Sequence, residues 1–334
     1  MTTIKAYAAN EAGATLTPFE YELGDIGPHE VEIDITACGV CHSDLSMINN
    51  DWRASSYPLV AGHEIVGTVA AIGAHVKNVQ IGQTVGVGWN SDSCMHCAPC
   101  LTGEQQRCQT LTTTIAGRGG FADKIRVQDI WAVPLPSGMD AASAGPLFCG
   151  GITVFAPMVH YGLKPTDRIA VIGIGGLGHL ALQFANAWGC EVTAFTSSLD
   201  KEKELRALGA HHVVNSRDAD ALKPLSGHFD VILSTVNVTM PWAKLMSTLG
   251  PNGRLITVGA VAEPMAIPAF SMIGGGKSVG GSDTGSPAMV AKMLEFCMRH
   301  NIKPMAEYFP MSEINRAIKH LESGQARYRV VLKN

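Results

Sequence analysis

The chain has 334 residues, 46% of them hydrophobic, with 25 Lys and Arg against 29 Asp and Glu for a net charge of -4. That length exceeds what one hydrophobic core serves, so two domains are expected. With no basic excess and no run of Lys or Arg, a nucleic-acid partner is not expected.

The start, MTTIKAYAAN, lacks the charged region and long apolar stretch of a secretory signal, which predicts a cytoplasmic protein. In that reducing compartment metal ligation explains nine cysteines better than disulfides do. Up to about Pro146 short alternating runs, VEIDITACGV and EIVGTVAAIG, are separated by Gly and Pro and predict an all-β, barrel-like domain. Within it SCMHCAPCLTGEQQRC places Cys94, Cys97, Cys100 and Cys108 in one loop, the spacing of a closed structural zinc site. His96 lies between two of them, but four thiolates already complete a tetrahedral shell. Cys41 in GVCHSD, and His63 with Glu64 in AGHE, lie outside this loop and form a second set of metal-type residues. Two metals with different tasks are therefore expected.

Ala141 to Leu163 and Ile169 to Cys190 contain no Asp, Glu, Lys or Arg. The first is interrupted by Pro146, Gly150, Gly151 and Pro157, the second by five glycines, His179, Gln183 and Asn186, so neither is expected to span a bilayer.

From Arg168, RIAVIGIGGLG predicts strand, tight turn and helix, with Gly173, Gly175, Gly176 and Gly178 in the turn. Leu177, Leu180, Ala181, Phe184 and Trp188 recur at helical spacing, and Gly189 is a stop signal. EVTAFT, KEKELRAL, HHVVN, FDVILSTV, PWAKLMSTL, RLITVGA and KSVGGS then alternate strand and helix, which implies a doubly wound parallel sheet. The glycines permit close approach to a pyrophosphate whose charge meets the free N–H groups of the helix, so a dinucleotide is expected across the strand ends. At the end of the second strand FTSSLDK offers Ser197, Ser198 and Lys201 where a carboxylate would hold a ribose 2'-hydroxyl. Hydroxyls and a cation suit a 2'-phosphate, which favours NADP(H) over NAD(H). The alternative is that the serines only cap the next helix. Ile314, Ala317, Ile318 and Leu321 mark an amphipathic helix before Gly324. RYRVVL then returns as a strand to the first domain, which makes the cofactor domain an insertion.

GVCHSD, AGHE, the four-cysteine loop, GPLFCGGIT and GIGGLG, in that order, resemble the zinc-dependent medium-chain alcohol dehydrogenases over essentially the whole chain. CHSDLSMINN, YPLVAGHEIVG and FTSSLDK are most similar to the cinnamyl alcohol dehydrogenase-like branch, particularly bacterial and cyanobacterial NADPH-dependent aldehyde reductases. The resemblance implies a GroES-like β-barrel-type catalytic domain at 1–148, with the zinc lobe at 90–110. It implies a Rossmann NADP-binding domain at 149–286, a C-terminal return at 287–334, and a homodimer built through the cofactor domains near KSVGGS. It makes Cys41, His63 and Cys149 the ligands of a catalytic zinc with one open position, and Glu64 an acidic residue that approaches the metal. Asp44 becomes the carboxylate that orients the ligating histidine. Leu177, Thr235, Val258 and Ser282 complete the implied cofactor set. Ser43 is the implied first proton donor. The family's outer relay histidine is replaced here by Ser46, and the family position of His42 lies near the pyrophosphate, so a water chain through Ser46 is an equal route.

Hydride transfer between nicotinamide and an aldehyde carbonyl is the implied reaction, on broad aliphatic and aromatic aldehydes, with two zinc ions per chain. Trp52, Trp89 and Met272 are candidates for the substrate pocket, with ordinary core packing as the alternative. A zinc polyol or secondary-alcohol dehydrogenase is the nearest competing activity. A quinone reductase would not need Cys41, His63 and Cys149, and a zinc-ribbon binding module would not need the glycine turn.

Overall fold

Strand Glu30–Val40 organises the first of two units, because every second side chain along most of its length is an apolar group driven inward. It pairs antiparallel with Glu64–Ile72, with Lys124–Gln128 and with the final strand, Arg329–Lys333. The sheet extends through Thr84–Val87 and Val133–Pro134 at one side and Ala306–Pro310 at the other, seven strands in all. Thr2–Ala8 and Thr17–Leu23 form a separate two-stranded ribbon. Ile4, Ile33, Ile65, Phe121, Val330 and Leu332 are fully buried in the enclosed core. The structure is a computed structural model that describes residues 2–334 except 117 and 219.

Register within this sheet positions the chemistry. Gly39 lies opposite Glu64 on one neighbour and Val331 on the other, two residues from Arg329. A Cβ at Gly39 would stand 2.0 Å from Glu64 Oε2, so the bare glycine is what lets the Glu64 side chain lie across the strand toward Arg329.

The first unit comprises Met1–Ile152 and Thr284–Asn334, and the second Thr153–Asp283. The sequence boundaries, 148/149 and 286/287, sit a few residues away, and Cys149 lies in the first unit. The physical reason is Phe148: a Cβ at Gly86 would meet its ring at 2.1 Å, so the turn Gly145–Phe148 is packed onto strand Thr84–Val87. The amphipathic helix is observed at Ile314–Glu322 with Ile314, Ala317 and Leu321 buried.

The second unit is a six-stranded parallel sheet. Its order is His212–Asn215, Glu191–Thr196, Arg168–Ile172, Phe229–Ser234, Leu249–Thr257 and Ser278–Gly281. In chain order this is 3-2-1-4-5-6, with the reversal between the strands at Arg168 and Phe229 where dinucleotides bind in such sheets. Helix Gly178–Trp188 ends at Gly189, whose φ of 101° is the left-handed value a glycine stop supplies. Among the described residues no single helix is long and apolar enough to cross a membrane. Ile169 to Cys190 is a strand, a turn and a helix, and Ala141 to Leu163 breaks at Cys149.

A candidate metal centre and cofactor cradle

Cys41 follows strand Glu30–Val40 and caps helix His42–Asn49, with Asp44 Oδ2 accepting from its backbone N–H at 2.8 Å. The other oxygen of the same fully buried carboxylate accepts from Gly62 N–H at 2.8 Å and from His63 Nδ1–H at 2.7 Å. Asp44 thus joins GVCHSD to AGHE and directs the lone pair of His63 Nε2 away from itself. Cys149 completes the group: its Sγ is 3.9 Å from Cys41 Sγ and 3.2 Å from His63 Nε2. Ligand atoms of Cys41, His63, Glu64 and Cys149 all lie within 4.8 Å of one another.

Electrostatics in this buried cluster are strongly coupled. A hydrogen bond from Cys149 holds the Cys41 thiol well below its usual range against burial, while the same contact and burial push Cys149 up. Burial alone would lower the His63 pKa, but Asp44 and Cys41 together raise it. Burial lifts the Glu64 carboxyl to about 6 although Arg329 pulls the other way. Arg329 and Glu64, with side chains 5% and 0% exposed, form a fully buried ion pair.

The donor set fits a cation. Glu64 Oε2 is buried without a hydrogen-bond partner beside two thiols and an imidazole, and soft sulfur with imidazole nitrogen suits zinc. Cys94, Cys97, Cys100 and Cys108 form the other such group among the described residues. Here backbone N–H groups of Cys94, Cys97 and Thr110 point at sulfurs of Cys108, Cys94 and Cys108 over 3.2, 3.3 and 3.4 Å. Four thiols ringed by N–H donors fit a closed, structural zinc, and His96 is exposed and outside the group.

Above the first group, the Trp89 ring meets the His63 ring edge-on at 4.8 Å, and Trp52, 41% exposed, meets Trp89 at 6.1 Å. Met272 instead packs, partly buried, against the core of the second unit. On helix His42–Asn49, Ser43 and Ser46 are half-buried and three residues apart, hence on one face, while His42 is exposed.

In the second unit three glycines serve different purposes. Gly173 has φ 88°, and a Cβ on Gly178 would meet Gly173 O at 2.1 Å, whereas a Cβ on Gly175 would meet nothing within 4 Å. The first makes the turn, the second brings helix against strand, and the third leaves an open backbone face. Gly176 and Leu177 lie between them. Thr235 Oγ1 donates to Gly173 O at 2.6 Å and braces the turn. Thr235, Val258, Ser282 and Ser197 each follow the last residue of a parallel strand, so they gather at the carboxyl edge of the sheet with the glycine turn. Ser198 makes no side-chain cap bond; its hydroxyl donates to Asp200 at 3.3 Å, and Lys201 follows within the same short turn.

The alcohol dehydrogenase GroES-like domain model matches residues 27–137, and the zinc-binding dehydrogenase model matches residues 176–299. The aldehyde reductase AdhA of Synechocystis is 56% identical over 332 residues, 99% of each chain. The chain belongs to the zinc-dependent alcohol dehydrogenases. Cinnamyl alcohol dehydrogenase SbCAD4 of Sorghum bicolor superimposes with a TM-score of 0.95 at 37% identity, covering 99% of this chain and 98% of that one. The Helicobacter pylori enzyme CAD, solved with NADP(H), gives 0.91 at 28% identity over 99% of this chain and 98% of its own. Membership makes the protein an oxidoreductase with GroES-like and Rossmann-type domains.

Sequence reasoning missed Arg329 and Gly39. The signal for Arg329 was a lone charge heading the apolar run VVL in the last strand; for Gly39 it was a glycine inside a strand pattern. Removing the cation while keeping apolar bulk, Arg329→Met, leaves Glu64 buried and unpaired and should lower the unfolding free energy by about 3–5 kcal/mol in urea titration. A loss under 1 kcal/mol would show that Glu64 does not depend on Arg329.

Proposed function

We propose that this enzyme reduces aldehydes to primary alcohols with NADPH, reversibly, using one zinc at Cys41, His63 and Cys149 and a second at the four-cysteine lobe. The observation that carries the reading is the first cluster itself: two thiols and an imidazole converge, and the neighbouring Glu64 carboxylate gives one oxygen to Arg329, which leaves a three-ligand shell with a fourth position for a carbonyl oxygen as the arrangement we infer.

When bound, zinc polarises the carbonyl oxygen and the nicotinamide supplies the hydride. The rest falls to the protein. Asp44 holds His63 in the Nδ1–H tautomer, Glu64 balances Arg329 beside the ligands, and Ser43 hands a proton to the product oxygen, with Ser46 or water beyond it. Gly173, Gly175, Gly176, Leu177 and Gly178 cradle the pyrophosphate. Ser197, Ser198 and Lys201 take the 2'-phosphate, and Thr235, Val258 and Ser282 border the cofactor along the strand ends. The NADP(H) in the Helicobacter pylori relative supports the coenzyme choice. Trp89 and Trp52 beside His63 support an apolar aldehyde site, and a cytoplasmic location agrees with nine unpaired cysteines.

A homodimer through the second unit is supported by its outer strand Ser278–Gly281, which lies beside the helix carrying Phe270 and Ile273 in the chain. These two side chains are 85% and 70% exposed, and Val279 on the strand is 36% exposed.

NADPH oxidation with hexanal and cinnamaldehyde should exceed that with NADH, with metal analysis near two zincs per chain. Ser197→Asp should shift preference toward NADH, and no aldehyde-dependent oxidation of NADPH would defeat the proposal. Ser43→Ala should cut kcat by about 10²-fold at unchanged zinc content. Sedimentation should find a dimer that Phe270→Glu with Ile273→Glu converts to monomer; a monomeric parent enzyme would remove the interface.

A further inference from the structure

Between the cluster residues Cys41 and His63 the chain runs down helix His42–Asn49 and back through an irregular loop that carries Trp52 and Arg53. Arg53 has φ 55°, the left-handed region that an L side chain adopts at a cost and a glycine adopts freely. Its neighbours determine that conformation. Arg53 N–H donates to Asn50 O at 3.0 Å and Asp51 N–H to Ser46 O at 2.9 Å. Ser55 is held by Asn50 Oδ1 and Met47 O, and Tyr57 OH donates to Ile48 O at 2.8 Å. A strained position held by its surroundings is where a side chain with a task is found.

Arg53 is exposed, and among the described residues its side chain has no hydrogen bond or carboxylate partner, not even with Asp51 two residues earlier. The preceding residue is Trp52, whose ring reaches His63 through Trp89 by contacts of 6.1 and 4.8 Å. A permanent cation with five donors therefore follows, in the chain, directly after Trp52 of the aromatic pair that meets the edge of His63.

Resting on the aldehyde-reductase reading above, we propose that Arg53 is a specificity residue that receives an anionic group, a carboxylate in the first instance, at the far end of an extended aldehyde. The substrate class is the ω-carboxy aldehyde: carbonyl at the metal, apolar chain along Trp89 and Trp52, acid at Arg53. Because Trp52, the residue before Arg53, reaches His63 only through the Trp89 ring, by contacts of 6.1 and 4.8 Å, the proposed site requires an extended chain and disfavours a short acid. A charge-assisted pair at an exposed rim gives about three- to ten-fold in kcat/KM.

The test uses the zinc-loaded enzyme with matched pairs: succinic semialdehyde and butanal, adipic semialdehyde and hexanal, azelaic semialdehyde and nonanal. The ratio of kcat/KM for acid over neutral aldehyde should rise with chain length. Arg53→Gly suits the observed φ and so removes the cation without a folding penalty. In it the ratio for the longer pairs should fall about three- to ten-fold, and Arg53→Lys should fall between. Added salt should lower the ratio in the parent enzyme and leave it flat in Arg53→Gly. Equal ratios in parent and Arg53→Gly, a loss shared by both members of each pair, or a raised KM for NADPH in their place would overturn the assignment of Arg53. If no neutral aldehyde is turned over either, the aldehyde-reductase reading falls first and the inference with it.

Discussion

The buried pair of Glu64 and Arg329 is the constraint on which the metal group depends. A carboxylate next to His63 could itself join any metal shell formed there, and a buried unpaired charge is among the costliest things a core can hold. Arg329 answers the second problem by pairing with one Glu64 oxygen, while the other stays unpartnered within the cluster. The arrangement needs three strands in register and no side chain on the middle one. Gly39 supplies that gap. The last strand of the chain is thereby part of the site as well as part of the sheet, which is a physical reason for the polypeptide to return to its first unit after the cofactor domain.

A second device is economical in the same way. Asp44 carries three jobs on two oxygens: it caps the helix after Cys41, fixes the backbone at Gly62 and orients His63. Both motifs of the metal group are locked to one buried carboxylate, so their separation does not depend on the loop between them. That loop, which carries Trp52 and Arg53, is thereby free to vary without disturbing the spacing of Cys41 and His63.

The two cysteine-bearing groups contrast in kind. The lobe at Cys94 to Cys108 is built of close sequence neighbours whose own backbone N–H groups point at the sulfurs, and among the described residues no fifth His, Cys, Asp or Glu joins the group. The group at Cys41 draws on residues 108 positions apart for its sulfur pair and is enclosed by a helix cap, a buried ion pair and an aromatic edge. A group of sequence neighbours needs only spacing, but one gathered from distant segments needs the whole fold to bring it together.

The amino-acid sequence by itself determined whatever depends on local spacing. The four-cysteine lobe, the glycine turn at Gly173 to Gly178, the alternation of strand and helix and the amphipathic helix at Ile314 were legible because periodicity and turn chemistry act within a few residues. Cys149, apolar in its surroundings, was legible only through family resemblance. What tertiary structure alone decided was how distant residues meet: Arg329 across Gly39 onto Glu64, Trp89 against the His63 edge, Phe148 over Gly86, and the first-unit placement of Cys149. These contacts join positions up to 265 residues apart, as Glu64 and Arg329 are. No local pattern encodes them, because they follow from strand register and packing, which come into being only when the whole sheet has formed.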